Sequence, residues 1–405
     1  MKLSQISLTT SELLQRRDKF TALMTSRFPR WESAVIMENV NQYYFTGTIQ
    51  DGVLIIQRDG KLIYGVRRSL ERACAESPLP EHEITGIATY RDLAHIQGGN
   101  LGEAYIEGDT MPIVTRERLS KYFTMSNVGF LDSVVRTVRS VKSPYEIEAI
   151  HESGEAHRKL LEEQVPAILR EGMTEIDFLG ELSREMYRLG YQGLARFHQF
   201  QIDIAIGQVG FGTNALCSTW FDGPGGSHGN GPWAPFSGDS QRKLQRGDPV
   251  FVDVAFGIRG YHSDKTQVYF LGSEPPQDFL KAHRFCIDMQ KRLAAMLKPG
   301  EIPSKIYESV MASIPADDSE HFMGVSPDNR VKFLGHGVGL NIDDFPVIAK
   351  GFDEPLEENM VLALEPKYAI WGFGMAGVED TYRVTAHGGE CLTGGGRDII
   401  LVPLT

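Results

Sequence analysis

The sequence predicts an α+β chain of two domains: a smaller α/β unit over residues 1–142, then a larger domain over residues 143–405 made of two α-α-β-β halves. Three observations carry that prediction. At roughly 100–200 residues per domain, 405 residues make two or three domains with room for a large core. In the first third, short apolar runs alternate with helix-period segments. Beyond Lys142, a helix pair followed by strand-like hairpins occurs twice, as a recurrence of pattern and not of sequence identity.

In the N-terminal unit, Glu12 to Met24 has helical spacing through Leu13, Leu14, Phe20 and Leu23. Ala34-Val35-Ile36-Met37 and Val53-Leu54-Ile55-Ile56 read as strands. Asp59-Gly60 before Leu62-Ile63-Tyr64-Gly65-Val66 is a hairpin signal, since both residue types tolerate a left-handed backbone. Helices are expected from Ser69 and Tyr90, and a strand at Ala104-Tyr105-Ile106. No group of His, Asp, Glu or Cys here has a spacing that suggests chemistry, so the unit reads as non-catalytic.

The boundary follows Val138 to Lys142. Ser143-Pro144-Tyr145-Glu146 has the form of a capping box with proline at the first helical position. The helix it opens carries Ile147, Ile150, Leu160 and Leu161, and a second starts near Thr174 with Asp177 in its first turn. The second half repeats the scheme with Phe279 to Leu297, a stop at Lys298-Pro299-Gly300, and a helix from Ser304. A mixed sheet covered by helices on one side is the expected architecture.

Composition narrows the function. Hydrophobic residues at 41% and charged residues at 23% fit a globular protein. No apolar run approaches the roughly 18–20 residues of a membrane span. Met1-Lys2-Leu3-Ser4-Gln5 opens no secretory signal, so a cytoplasmic location is expected. A net charge of -12, with basic residues only in isolated pairs, argues against a nucleic-acid partner. The cysteines, Cys74, Cys217, Cys286 and Cys391, form no CxxC pair and are expected as free thiols.

The informative residues are carboxylates. Val250 to Phe256 is an apolar strand interrupted by Asp253, and the returning strand Tyr261 to Phe270 carries Asp264. With the turn centred between Ile258 and Arg259, Asp253 stands directly opposite Asp264. A second hairpin, Val361 to Tyr368 and Ala376 to Thr381 about a bend at Gly372, sets Glu365 opposite Glu379. Opposed carboxylates have Cβ atoms about 4.5–5.5 Å apart and repel unless a counter-charge intervenes. Burial raises the cost further or forces one member of each pair to keep a proton. Divalent cations resolve the conflict, and a pair of them would leave a bridging water as nucleophile. His336, in Gly335-His336-Gly337-Val338-Gly339-Leu340, is the fifth candidate ligand, with glycines that let the imidazole project. Four carboxylates and one imidazole form a hard donor set suited to Mn²⁺, Fe²⁺, Co²⁺ or Zn²⁺.

At these residues the chain resembles the pita-bread metallopeptidase family of methionine aminopeptidase, aminopeptidase P, prolidase and the metal-free creatinase. The matching motifs are Asp253 with Asp264, Gly335-His336-Gly337-Val338-Gly339-Leu340, Leu364-Glu365-Pro366, and Val378-Glu379-Asp380-Thr381. The likeness covers most of residues 144–405, and the first 140 residues look like the N-terminal domain of the aminopeptidase P, prolidase and creatinase branch. It implies a pita-bread catalytic domain behind a creatinase-type N-terminal domain, a homodimer, and two divalent ions, Mn foremost. Asp253 would hold one ion, His336 with Glu365 the other, and Asp264 and Glu379 would bridge them. In relatives the residue matching Glu365 also moves the proton of the bridging water.

Three departures accompany the resemblance. Relatives carry a second His where this chain has Asp343, a candidate catalytic residue or an Asx turn before Phe345-Pro346. The prolidase and aminopeptidase P pattern tends to have Arg where this chain has Gly377, so a carboxylate-recognising guanidinium is missing there. For the substrate-side His of relatives the chain offers His228, in a longer glycine-rich loop, with His198 and His262 as weaker candidates.

The expected function is a metal-dependent peptidase of the Xaa-Pro aminopeptidase or dipeptidase type, acting on a small peptide. The alternatives keep the fold. One is a β-elimination lyase resembling the dimethylsulfoniopropionate lyases, with Asp343 as base, although Asp253-Val254-Ala255 lacks the Asp-x-Asp of that branch. The others are a creatinase-like C–N hydrolase and a non-enzymatic binding protein.

Overall fold

The structure is a computed structural model that describes residues 7–404, so the reading of Met1 to Gln5 as no secretory signal lies outside the described residues. The chain divides into two compact units, one reaching to Arg139 and the other starting at Ser140. Among the described residues, no helix is long and apolar enough to cross a membrane.

The first unit alternates helices α1 (Thr10–Arg27), α2 (Asn39–Thr46), α3 (Leu70–Glu76), α4 (Tyr90–Gln97), α5 (Ile113–Ser120) and α6 (Asp132–Ser140) with six strands. These are β1 (Ser33–Ile36), β2 (Gly52–Gln57), β3 (Leu62–Val66), β4 (Ile84–Gly86), β5 (Asn100–Ile106) and β6 (Thr124–Phe130). They form one sheet in the order β4-β3-β2-β1-β5-β6, with the β2–β3 hairpin where Asp59-Gly60 signalled it. Val35, Val53, Ile55, Leu93, Leu101 and Ile106 make its core. Strand β6 escaped the sequence reading because Thr-Met-Ser-Asn-Val-Gly-Phe is polar and largely exposed, as suits an edge.

One carboxylate ties this unit together. Glu107, at the end of β5, is 1% exposed and accepts from the Met37 and Glu38 amides at 2.7 and 2.8 Å and from the Asn41 side chain at 2.8 Å. It thus meets orphan donors at the N-terminus of α2. Burial outweighs these hydrogen bonds and pushes its carboxyl up to about 7.

In the second unit, α7 (Pro144–Lys159) opens on the expected capping box: Ser143 Oγ accepts from Glu146 N, and Glu146 Oε2 accepts from Ser143 N. A π turn leads to α8 (Val165–Ile168), and α9 (Glu175–Arg188) starts at the Thr174–Asp177 box. Strands β7 (Gly207–Phe211), β8 (Pro249–Ile258) and β9 (Tyr261–Leu271) follow. Then come α10 (Gln277–Met296), α11 (Pro303–Met311), α12 (Ala316–Ser319), β10 (Gly324–Ser326), β11 (Asn329–Arg330), β12 (Phe333–Gly337) and β13 (Asp344–Ala349). The chain ends through β14 (Val361–Leu364), β15 (Lys367–Ile370), β16 (Gly374–Gly377), β17 (Asp380–Thr385), β18 (Gly388–Cys391) and β19 (Ile400–Val402).

The expected single mixed sheet is divided in two. One half has β19-β9-β8-β7 and the other β13-β12-β14-β17-β18. Each buries one face under its own helices. Phe178, Leu182 and Met186 of α9 pack on Val250, Val252, Val254 and Phe256. Leu293 of α10 with Ile306 and Val310 of α11 pack on Leu362, Leu364, Tyr382 and Val384. Strand side chains alternate faces, so Asp253 points away from α9, and Ala363 and Thr381 point away from the core under α10 and α11. The two sheets meet where Thr266 N donates to Glu379 O at 3.2 Å. Behind that seam, fully buried Lys265 donates to Asp380 at 2.8 Å and to Gly396 O at 3.1 Å.

Two outcomes follow from these buried charges. Glu107 keeps its proton to about pH 7 when folded but only to about pH 4.5 when unfolded. Stability therefore falls as pH rises through that window, by up to roughly 3 kcal/mol. Urea unfolding of wild type against Glu107→Gln at pH 5 and pH 7.5 is expected to show wild type gaining relative stability at the lower pH. Lys265→Met leaves Asp380 with a buried charge deprived of its main partner, and equilibrium melts are expected to show a loss of about 3–5 kcal/mol.

Candidate metal centre

The site is assembled by strand alternation and one bulge. In the β8–β9 hairpin, Asp253 faces Thr266 and Ala255 faces Asp264, so the two aspartates are diagonal neighbours, not the directly opposed pair expected from sequence. The turn lies one residue further on, at Arg259-Gly260, which moves every cross-strand partner by two. Both have positive φ (53° and 87°), as a type I′ hairpin requires. Arginine at a left-handed position is what hid it. Both aspartates still share the face opposite α9, on which Phe251, Val268 and Phe270 pack against Phe279 and Ala282 of α10.

The second hairpin keeps its expected register: Leu364 pairs with Asp380, and beyond a break Lys367 pairs with Gly377. Glu365 and Glu379 sit at that break, where the chain leaves the five-stranded sheet for the β15–β16 ribbon. His336 reaches the same face through an irregularity. The register of β12 against β13 shifts between Phe333 and His336 and again before Gly337, while His336 pairs with Ala363 of β14. That bulge sends Leu334 into the core and the imidazole toward the acids.

His336 Nε2 lies 3.3 Å from Glu365 Oε1 and 3.9 Å from both Asp264 Oδ2 and Glu379 Oε1. Its Nδ1 is 3.2 Å from Gly337 O, a contact that keeps the proton on Nδ1 and turns Nε2 toward the carboxylates. Asp264, His336 and Glu379 each offer a ligand atom within 4.8 Å of the others. Glu379 divides its oxygens. Oε2 accepts from Thr266 Oγ1 at 3.0 Å and Lys367 Nζ at 2.8 Å, while Oε1 is buried without a hydrogen-bond partner. An orphaned buried oxygen beside an imidazole nitrogen and two further carboxylates fits a cation.

The electrostatics say the same. Burial and the charge of Asp253 push Asp264 up to about 8, and burial with the charge of Asp264 raises Glu379 well above the carboxylate range. Burial opposes the His336 imidazolium, but Glu365 overrides it and pushes the ring up to about 9. The pocket binds protons because it lacks enough positive charge for its acids.

Asp253 is joined to the others through a residue that the sequence reading passed over. Lys367, fully buried, has its Nζ 3.3 Å from Asp253 Oδ2, 3.6 Å from Glu365 Oε2 and 2.8 Å from Glu379 Oε2. A lone lysine between Pro366 and Tyr368 in a buried strand was the available signal. Asp222, an exposed residue that the sequence reading also passed over, has its carboxyl raised by partial desolvation and by the charge of Glu365.

The remaining candidates have other hydrogen-bond partners, and Asp343 also feels the charge of His336. His228 is half-exposed, with Nδ1 3.1 Å from Asp239 and 3.2 Å from Gly229 O. Asp343 accepts from His198 N at 2.5 Å and from Gln199 N at 2.9 Å, so its oxygens hold the 196–201 loop. Burial raises its carboxyl against those bonds. His262, fully buried, has Nδ1 3.0 Å from Gly339 O and accepts from Arg196 N at 3.2 Å, anchoring the same loop.

Comparison with known proteins agrees with this geometry. Residues 148–386 match the model of metallopeptidase family M24, and residues 16–141 match the creatinase/prolidase N-terminal domain. The chain is 27% identical over 367 residues to an Xaa-Pro dipeptidase of Pyrococcus furiosus, covering 90% of this chain and 94% of that protein. Among solved structures it superposes on the prolidase of Pyrococcus horikoshii with a TM-score of 0.77 at 22% identity, over 95% of this chain and all of that one. An X-Pro aminopeptidase of Thermotoga maritima gives a TM-score of 0.75 at 21% identity, over 92% and 98%. The fold is thus a creatinase-type α/β domain followed by a pita-bread domain. With more than half its length matched by the family model and its buried acids gathered around His336, the chain belongs to metallopeptidase family M24.

Proposed function

We propose that this protein is a metal-dependent peptidase that cleaves small peptides of the Xaa-Pro type. The observation that carries the reading is the buried group Asp264, His336 and Glu379, with Glu365 against the imidazole and one Glu379 oxygen left unsatisfied. Xaa-Pro dipeptidases among the relatives support the substrate class.

Asp264, His336, Glu365 and Glu379 would hold a divalent ion, with Mn²⁺ the first choice for this hard donor set and Co, Fe or Zn alternatives. Such an ion supplies a Lewis acid for the scissile carbonyl and makes water a better nucleophile near neutral pH. The protein's own part is proton handling and enclosure. Glu365 Oε1 is 3.3 Å from His336 Nε2 and Oε2 is 3.6 Å from Lys367, a position from which it can accept a proton and pass it on to a departing amine. Asp343 and His262 hold the 196–201 loop by its backbone. Those bonds occupy both Asp343 oxygens, which weakens it as the base of a β-elimination although burial raises its carboxyl. Gly377 removes the guanidinium that would recognise a dipeptide's carboxylate, so tripeptides are worth testing beside dipeptides.

The test is amino-acid release from Xaa-Pro dipeptides and Xaa-Pro-Yaa tripeptides with Mn²⁺, against a chelator control. Cleavage that the chelator abolishes, with Asp264→Asn down at least about a hundredfold, is expected. No turnover on either series, with metal bound and the fold intact, overturns the assignment. For Asp343→Ala, amide exchange at His198 and Gln199 is expected to rise about tenfold or more, with a higher KM and a nearly unchanged kcat. A collapsed kcat with unchanged exchange would instead favour Asp343 as a reacting group.

A further inference from the structure

We propose that the Lys367 ammonium permanently occupies one of the two cation positions that these acids could offer, so that the centre takes a single divalent ion beside a built-in positive charge. The inference rests on the metal-dependent reading of the site and departs from the pair of ions expected from sequence.

Three observations carry it. Lys367 Nζ is within 2.8 Å of Glu379 Oε2 and 3.3 Å of Asp253 Oδ2. A metal ion shared by those two oxygens would sit about 2.0–2.2 Å from each, in the space the ammonium fills. Two cations cannot share it, because at separations of 2–3 Å inside a protein their repulsion exceeds what either gains. Second, the acids are already divided between two positive centres. Glu379 turns Oε2 to Lys367 and leaves Oε1 toward His336, and Glu365 turns Oε2 to Lys367 and Oε1 to His336. The His336 side, with Asp264, retains a complete donor set for one ion.

Third, the opposite strand has made room for the lysine. Gly377 pairs with Lys367, and a Cβ at 377 would come within 2.7 Å of Lys367 Cδ and 2.8 Å of Pro366 O. Any larger residue at 377 would collide with the stem that delivers the ammonium. The stem is fully buried, and Nζ lies 5.8 Å from the centre of the Phe251 ring. The lysine and the glycine form one arrangement: Gly377 admits Lys367, and Lys367 neutralises Asp253 in place of an ion.

The experiment counts ions. Full-length protein is dialysed against excess Mn²⁺, freed of loosely held metal, and analysed for Mn per chain, with electron paramagnetic resonance on the same sample. One Mn²⁺ per chain with the six-line signal of an isolated ion is expected. Lys367→Gly is expected to take up a second ion and show an exchange-coupled signal. Two coupled ions in wild type overturn the inference and leave the peptidase reading standing. No bound ion overturns both. A folded Lys367→Gly that still holds one ion overturns it as well, and if that variant fails to fold, Lys367→Gln is counted in its place against the same two outcomes.

Discussion

Four carboxylates buried within contact of one another are the constraint on which this domain depends. Asp253 and Asp264 lie in strands, and Glu365 and Glu379 directly beside strands, whose apolar faces make the cores of both halves, so they cannot separate without unpacking those cores. Left to themselves they would repel or hold protons, as the raised Asp264 and Glu379 carboxyls show. Everything nearby supplies positive charge or fixes where it enters. Lys367 stands between three of the acids, His336 faces the other side, and Thr266 orients one oxygen of Glu379. The fold confines the acids, and their chemistry follows from how that confinement is relieved.

The same strands explain why the site is shared by the two halves. Period-two alternation gives each sheet one face for its own helices and an opposite face that carries the acids. Thr266 and Glu379 bond where the sheets meet, and the Lys265–Asp380 pair lies directly behind. Asp264 belongs to the first half, and His336, Glu365 and Glu379 to the second. A ligand held by all of them joins the halves, so loss of the Lys265 charge would be felt at Asp264, whose amide and carbonyl both bond Thr381 next to Asp380.

Much of this was legible in the residues, for reasons that can be named. The Ser143 and Thr174 capping boxes marked helix starts because those hydrogen bonds are local. The Glu365–Glu379 hairpin kept its register because Gly372 marks the bend. What failed depended on less visible geometry. The β8–β9 turn was misplaced because Arg259 adopts a left-handed backbone that its side chain does not advertise. The bulge that aims His336 lies among glycines without a periodic signature. His228 was offered for the substrate-side His of relatives, and its imidazole lies against Asp239. Lys367 was overlooked because an isolated lysine reads as surface, and only burial reveals otherwise.

Gly377 reverses the meaning of an absence. Read along the sequence, it is the loss of an arginine and a reason to doubt a dipeptide substrate. Across the strands, it is the space that Lys367 fills. A guanidinium at 377 would serve as a planar fork for a carboxylate, whereas an ammonium at 367 is a compact point charge aimed at Asp253 and Glu379. Moving the cation across one cross-strand pair therefore changes its task from recognising substrate to balancing the acids. An ammonium does not dissociate as a metal ion does, so these acids stay gathered even in a metal-free chain. On the proposal of a single ion, the exchangeable cation would be left to the His336 side, where the unsatisfied Glu379 oxygen points.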